Sequence, residues 1–184
     1  MRIIAGQHRG RRLEEFPGDA VRPTSDRARE ALFSMLNSRQ ALLDATVLDL
    51  FCGTGALGLE ALSRGAAHVT FVDKDPEALA ITKRNVQACK ETGRSRILRA
   101  DAAKLGAADR PYRLVLLDPP YGKDLVVPTV HALMAGGWLD TGVLIVAEIG
   151  RKEDPPELEG FHADDVRRYG AAKFVFYELG AAPA

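Results

Sequence analysis

A carboxylate, two prolines and a tyrosine, Asp118-Pro119-Pro120-Tyr121, follow directly on the apolar run Leu114-Val115-Leu116-Leu117. About seventy residues earlier, a similar run opens into Asp49-Leu50-Phe51-Cys52-Gly53-Thr54-Gly55-Ala56-Leu57-Gly58. The later group suits an exocyclic amine of a nucleobase, a poor nucleophile because its lone pair is delocalised into the ring. The Asp118 carboxylate and the Pro119 carbonyl can accept the two amine hydrogens and turn the nitrogen towards an electrophile. Pro119 and Pro120 stiffen that carbonyl, and Tyr121 offers a face on which an extruded base can stack. The earlier group suits a cofactor, because glycines let the backbone approach where a Cβ would intervene. Alone, the first is also a rigid turn after a buried strand, and the second is one of many nucleotide turns. Their order and spacing together point to methyl transfer from S-adenosylmethionine to an exocyclic amine.

Gly53 to Gly58 also fits G-x-G-x-x-G, with Asp73 twenty residues after Gly53, so dinucleotide binding is the rival reading. Asp49 weighs against it. Its carboxylate would repel a pyrophosphate but attract the ammonium and sulfonium of S-adenosylmethionine. In that scheme Gly53, Thr54, Gly55 and Gly58 line the cofactor. Asp73 accepts both ribose hydroxyls, and Asp101, after the third strand, accepts from the adenine amine. Each of these two acids, taken singly, reads equally well as a loop-starting or capping residue. In-line displacement from a charged sulfur needs no metal and no covalent intermediate, and Asp118 or water takes the released proton. A cytosine-C5 enzyme would need a nucleophilic thiol. Cys52 sits in the cofactor turn and Cys89 in a helix, so both are expected to be structural.

These residues require strand ends to hold them. The patterning predicts strands over 46–51, 68–73, 95–100, 113–118 and 143–148, and helices over 56–64, 76–91 and 125–135. Asp75 is placed to cap the long helix, with Pro76 at its first position and Gly93 beyond its end. Strands alternating with helices make a parallel sheet. The last two segments, 164–169 and 173–179, are too close for a helical crossover and must form a hairpin. The expected architecture is a Rossmann-like, seven-stranded class I S-adenosylmethionine-dependent methyltransferase fold, mostly parallel with a C-terminal antiparallel hairpin. A helix capped by Thr24 or Ser25 and an arm of residues 1–23, expected to stay off the core, precede it. Arg27 and Arg29 fall off that helix's apolar stripe, free for solvent or a ligand. The division expected is an RNA-recognising arm and helix over 1–40 and the catalytic domain over 41–184.

Composition narrows the class. The 184 residues, 46% hydrophobic and 27% charged, suit one globular α/β domain that buries about 70% of its unfolded surface. No apolar stretch approaches the ~18 residues of a membrane span, and no secretory signal is present, so the cytoplasm is expected. His8, His68, His131 and His162 show no ligand spacing, and two isolated cysteines make no disulfide framework, so neither a metal nor a bridge is expected. Twenty-five basic residues balance 25 acidic ones, which argues against a protein that coats nucleic acid by net charge. Residues 1–12 nevertheless hold four arginines and no acid, a phosphate-binding end or a solvated tail.

The arm Arg2-Ile3-Ile4-Ala5-Gly6, then Arg9-Gly10-Arg11-Arg12-Leu13, Arg22-Pro23-Thr24-Ser25-Asp26-Arg27, the run from Asp49 to Ala66 and the Asp118–Tyr121 tetrapeptide closely resemble the RsmD family over nearly the whole chain. That family methylates guanine N2 in bacterial small-subunit (16S) ribosomal RNA. The resemblance implies Asp49, Gly53, Gly55, Gly58, Asp73 and Asp101 as cofactor contacts and Asp118, Pro119, Pro120 and Tyr121 as the catalytic loop. It further implies Arg9, Arg11, Arg12, Arg22, Thr24 and Arg27 as RNA contacts, and an assembled or assembling 30S subunit as substrate; a monomer is the default. Adenine-N6 methylation of DNA or another RNA is the alternative, since the tetrapeptide serves both amines. Two departures, Ala171-Ala172 where the family usually has an acid and threonine, and His8 where an aromatic is common, lie away from the chemistry.

Overall fold

The computed structural model describes residues 1–17 and 25–180. Arg22, Thr24 and Pro23 lie outside them. Seven strands form one sheet in the order β3-β2-β1-β4-β5-β7-β6. They are β1 (Thr46–Leu50), β2 (His68–Asp73), β3 (Ser95–Arg99), β4 (Tyr112–Leu117), β5 (Leu139–Gly150), β6 (Phe161–Tyr169) and β7 (Ala172–Leu179). The five strands β1 to β5 pair in parallel, and the β6–β7 hairpin adds antiparallel to β5. The expected fold class is the one observed. β5 and β6 each begin earlier than patterning indicates. The cause is Asp140-Thr141-Gly142 and His162-Ala163-Asp164, polar or small residues that occupy half-buried to exposed strand positions.

Helices α1 (Asp26–Ser38), α2 (Ala56–Ser63), α3 (Pro76–Ala88) and α4 (Val126–Gly136) flank the sheet. Ser25 caps α1 by accepting from Ala28 N at 3.2 Å, and Asp75 caps α3 through Glu77 N at 2.9 Å. Central strands buried on both faces feed two cores by alternation. Val47, Val69, Phe71, Leu114, Leu116 and Val146 face α1, α2 and α3, whereas Leu48, Val72, Val115 and Ile145 face α4. Among the described residues, no helix is long and apolar enough to cross a membrane.

The arm corrects two expectations. It is a hairpin, with Ile3 N donating to Arg11 O at 2.9 Å and Gly10 N to Ile3 O at 2.8 Å, but Ile3 and Leu13 are buried in the first core. Their apolar burial outweighs the surrounding arginines. Buried Glu60 on α2 completes the docking, accepting Ile4 N at 2.8 Å, Ala5 N at 3.0 Å and Arg64 Nε at 2.7 Å. Arg29 is fully buried instead of free. Its guanidinium donates to Arg2 O at 2.6 Å and Asp26 Oδ1 at 2.8 Å, so it ties the arm to α1. Desolvation depresses its pKa, against the pull of Asp26 and Glu60.

Gly6 is the tightest point of that docking. It has φ +80°, and a Cβ there would sit 1.8 Å from Ser63 O. Gly6→Ala is expected to lift the arm at a cost of about 2–4 kcal/mol, from overpacking plus left-handed strain. A thermal melt and trypsin sensitivity at Arg9–Arg12 check this; wild-type values for both would contradict it.

Candidate active site

The carboxyl ends of β1, β2 and β4 meet at one edge of the sheet. Asp49 is buried near the end of β1 and accepts Gly58 N at 2.8 Å through Oδ2. Its Oδ1 is buried with no hydrogen-bond partner among the described residues. Burial pushes the Asp49 carboxyl up to about 8, against the Gly58 bond and helped by the charge of Asp73. A carboxyl raised by burial in this way gains from any cation placed beside it, because the cation favours its ionised form.

The glycine turn is built round that acid. Gly53 and Gly55 have φ +55° and +78°, values open to glycine at little steric cost. At Gly58 a Cβ would come within 2.4 Å of Phe71, 2.7 Å of Val69 and 2.9 Å of Asp49 Oδ2, so its absence is what lets α2 start against the strand ends. Asp73 accepts Gly53 N at 3.0 Å through Oδ2 and Asp75 N at 3.0 Å through Oδ1. Both oxygens are thereby oriented, and each keeps a further lone pair. Asp101 stands exposed at the end of β3 and caps the short turn Ala102–Lys104 through Ala103 N at 3.1 Å. The turn residues, Asp49 and Asp73 are thus directly connected, while Asp101 shares their sheet edge without touching them in the described contacts.

Asp118 comes to Asp49 through register. Asp49 pairs with Leu116 and Leu50 with Leu117 across β1–β4, and Asp118 N donates to Leu50 O at 3.3 Å. Asp118 therefore lies two residues along the same sheet face as Asp49. Leu117 also pairs with Ala147 on β5, which sets Glu148 level with Asp118. Burial, then the charge of Glu148, then that of Asp49, raise the Asp118 carboxyl well above its ordinary range. Tyr121 is 46% exposed, and its hydroxyl donates to Glu148 Oε1 at 2.5 Å. Burial, that bond and the carboxylates around it push its pKa up.

A sequence model described as "Conserved hypothetical protein 95" matches residues 1–178. Over 149 residues, 80% of this chain and 74% of the relative, the sequence is 40% identical to "Ribosomal RNA small subunit methyltransferase D" of Escherichia coli (strain K12). The chain belongs to the RsmD family. A second relative, "Putative rRNA methyltransferase YlbH" of Bacillus subtilis (strain 168), is 36% identical over 164 residues, covering 87% of this chain and 88% of that one. Among solved structures, "Putative methyltransferase yhhF" from Escherichia coli superimposes with a TM-score of 0.85 at 35% identity, over 97% of each chain. The sheet order and hairpin are those of the class I methyltransferase fold, and the RsmD family is one of methyltransferases.

Sequence patterning missed four residues that build this RsmD site. Thr82 Oγ1 donates to Gly53 O at 2.8 Å, and Asn85 Nδ2 donates to Thr54 O at 3.0 Å. Asn85 also binds the arm, accepting Glu14 N at 2.7 Å and donating to Glu14 O at 3.0 Å, so one side chain joins arm and glycine turn. Both sit on the buried face of α3, where a polar residue inside an apolar stripe was the available signal. Phe16, 3.9 Å from where a Gly53 Cβ would be, brings the arm over the turn, and Glu148 had no motif to mark it.

The remaining assignments divide. Arg9, Arg11, Arg12 and Arg27 are exposed, and Arg11 Nη1 donates to Ala88 O at 2.6 Å. Cys52 and Cys89 are buried free thiols whose pKa values burial raises, which suits a structural role. Cross-strand pairing brings His162 beside Glu178, with Asp164 near both, a proximity that linear spacing hides. Arg39 already ion-pairs with Asp164 at 2.7 Å and Glu178 at 3.0 Å.

Proposed function

We propose that this chain transfers the methyl group of S-adenosylmethionine to the exocyclic N2 amine of a guanine in bacterial 16S ribosomal RNA, within an assembled or assembling 30S subunit. The observation that carries this reading is the placement of Asp118 along the same face as Asp49. The buried, unpartnered Asp49 Oδ1 and the turn at Gly53, Gly55 and Gly58 fit a cofactor bearing ammonium and sulfonium charge. That cofactor supplies an electrophilic methyl group on sulfur. The rest is done by the chain. Asp49 holds the cationic end, Thr54 lies in the turn, and Asp73 receives ribose hydroxyls on oxygens already oriented by Gly53 N and Asp75 N. Asp101 receives the adenine amine.

Asp118 and the Pro119 carbonyl hold the acceptor amine by its hydrogens, and Tyr121 stacks on the flipped base. In its ionised form Asp118 serves as hydrogen-bond acceptor for the amine and then as acceptor of the proton released by methylation. Calorimetry with S-adenosylmethionine against NADH tests the cofactor. Binding of NADH alone would replace this reading with a dinucleotide enzyme.

The exposed arginines of the arm are the proposed RNA contacts, together with Arg27, Arg22 and Thr24. Replacing Arg9, Arg11 and Arg12 with alanine is expected to weaken RNA binding and to lower the slope of log K against log salt by roughly 2–3, since each phosphate contact contributes about 0.7–0.9. An unchanged slope returns these residues to solvent. We further infer a cytoplasmic enzyme that meets its subunit as a monomer.

A further inference from the structure

A cavity of about 240 Å³ opens behind the Asp118–Tyr121 loop, its walls including Pro119, Pro120, Tyr121, Leu125, Glu148 and Glu153. Glu153 is committed to the loop, its Oε1 accepting Gly122 N at 2.8 Å. Glu148 faces the cavity from β5, buried, level with Asp118 on the neighbouring strand. Adjacent strands are about 4.8 Å apart, so two level side chains on one face reach neighbouring atoms of a single ring. The Tyr121 hydroxyl fixes Glu148 Oε1 at 2.5 Å, and the two oxygens of a carboxylate together offer about four acceptor sites.

Guanine presents its N2 amine and N1–H side by side, all hydrogen donors. 2-Aminopurine keeps the amine but puts a bare lone pair at N1, and adenine likewise sets a bare N1 beside its amine. A carboxylate next to the amine site attracts the first edge and repels the other two. We propose that Glu148 is the residue that selects guanine, accepting its N1–H while Asp118 holds the N2 amine. This rests on the guanine-N2 reading above and adds to it the basis of base choice.

The test uses the full chain and small subunits reconstituted on RNA whose target guanosine, mapped from the wild-type product, is replaced by 2-aminopurine. Wild type is expected to methylate the guanine subunits and to turn over the 2-aminopurine subunits about 10²-fold more slowly or worse. Glu148→Gln, whose amide can donate to a bare N1, is expected to slow guanine transfer at least tenfold, by roughly one lost charge-assisted bond, and to raise the ratio of 2-aminopurine to guanine turnover correspondingly. S-adenosylmethionine binding by the variant, measured by calorimetry, should match wild type. Equal wild-type turnover of both bases would overturn the proposal, and this arm stands whether or not the variant folds. A folded Glu148→Gln with wild-type discrimination would overturn it as well. Failure of the guanine-N2 reading itself is distinguishable, because wild type would then yield no N2-methylguanosine on unmodified subunits.

Discussion

Asp118→Ala should reduce methyl transfer by about 10³-fold while leaving S-adenosylmethionine binding within a few-fold of wild type. The asymmetry follows from position. Asp118 lies one strand over from the glycine turn and level with Glu148, and in the proposed function its carboxylate serves the acceptor amine. Removing it deprives the amine of the partner that localises its lone pair, and deprives the product of its proton acceptor. It also removes one of a pair of adjacent buried acids, a like-charge arrangement that costs folding energy when both ionise. The variant should therefore fold at least as well as wild type near neutral pH. Single-turnover product formation beside calorimetric binding checks both halves, and full turnover by Asp118→Ala would remove the mechanism.

The second large effect concerns Asp49. Asp49→Asn keeps the size of the side chain and an oxygen for Gly58 N, but withdraws the charge. S-adenosylmethionine affinity is expected to fall about a hundredfold, on the order of 2–3 kcal/mol for a charge-assisted contact in a dry site. The pH dependence should change with it. In the unliganded protein Asp49 stays protonated until about pH 8, whereas a bound cation favours the ionised form. Wild-type affinity therefore rises with pH between 6 and 7.5, by up to about tenfold per unit, with a proton released on binding. Asp49→Asn should show neither the rise nor the release.

The same raised pKa bears on stability. A carboxyl whose folded pKa exceeds its ordinary value contributes stability that is present below about pH 4 and lost as pH rises through 8. For the unliganded wild type this contribution declines over that window. A wild-type affinity flat from pH 6 to 7.5 would show that Asp49 does not meet the cofactor's charge.

Much of this architecture is legible without coordinates because its signals are local. Alternation of apolar strands with capped helices, Pro76 behind Asp75, and the short link at Gly170 each reflect a backbone rule that acts within a few residues. The glycine turn and the Asp118 loop are legible for the same reason. What escaped depends on contacts far apart in sequence. Arg29 lies off the apolar stripe of α1, yet the arm folds over it and Arg2 O receives its guanidinium. Ile3, in the short apolar pair Ile3-Ile4, and Leu13 lie among arginines, and only docking against α2 through Glu60 shows them as core. Asn85 and Thr82 act on carbonyls roughly thirty residues away. Glu148 gains meaning only from the β4–β5 register, which no motif encodes.

The most direct measurement supplies the protein with labelled S-adenosylmethionine and unmethylated small subunits, free 16S ribosomal RNA or DNA, then digests each and identifies the methylated nucleosides by mass spectrometry. N2-methylguanosine from the subunits is the expected result, with less from free RNA and none from DNA. N6-methyladenosine from any of the three would contradict the assignment of the guanine amine while leaving fold and cofactor in place, and no methylated nucleoside at all would contradict the central claim of base methylation.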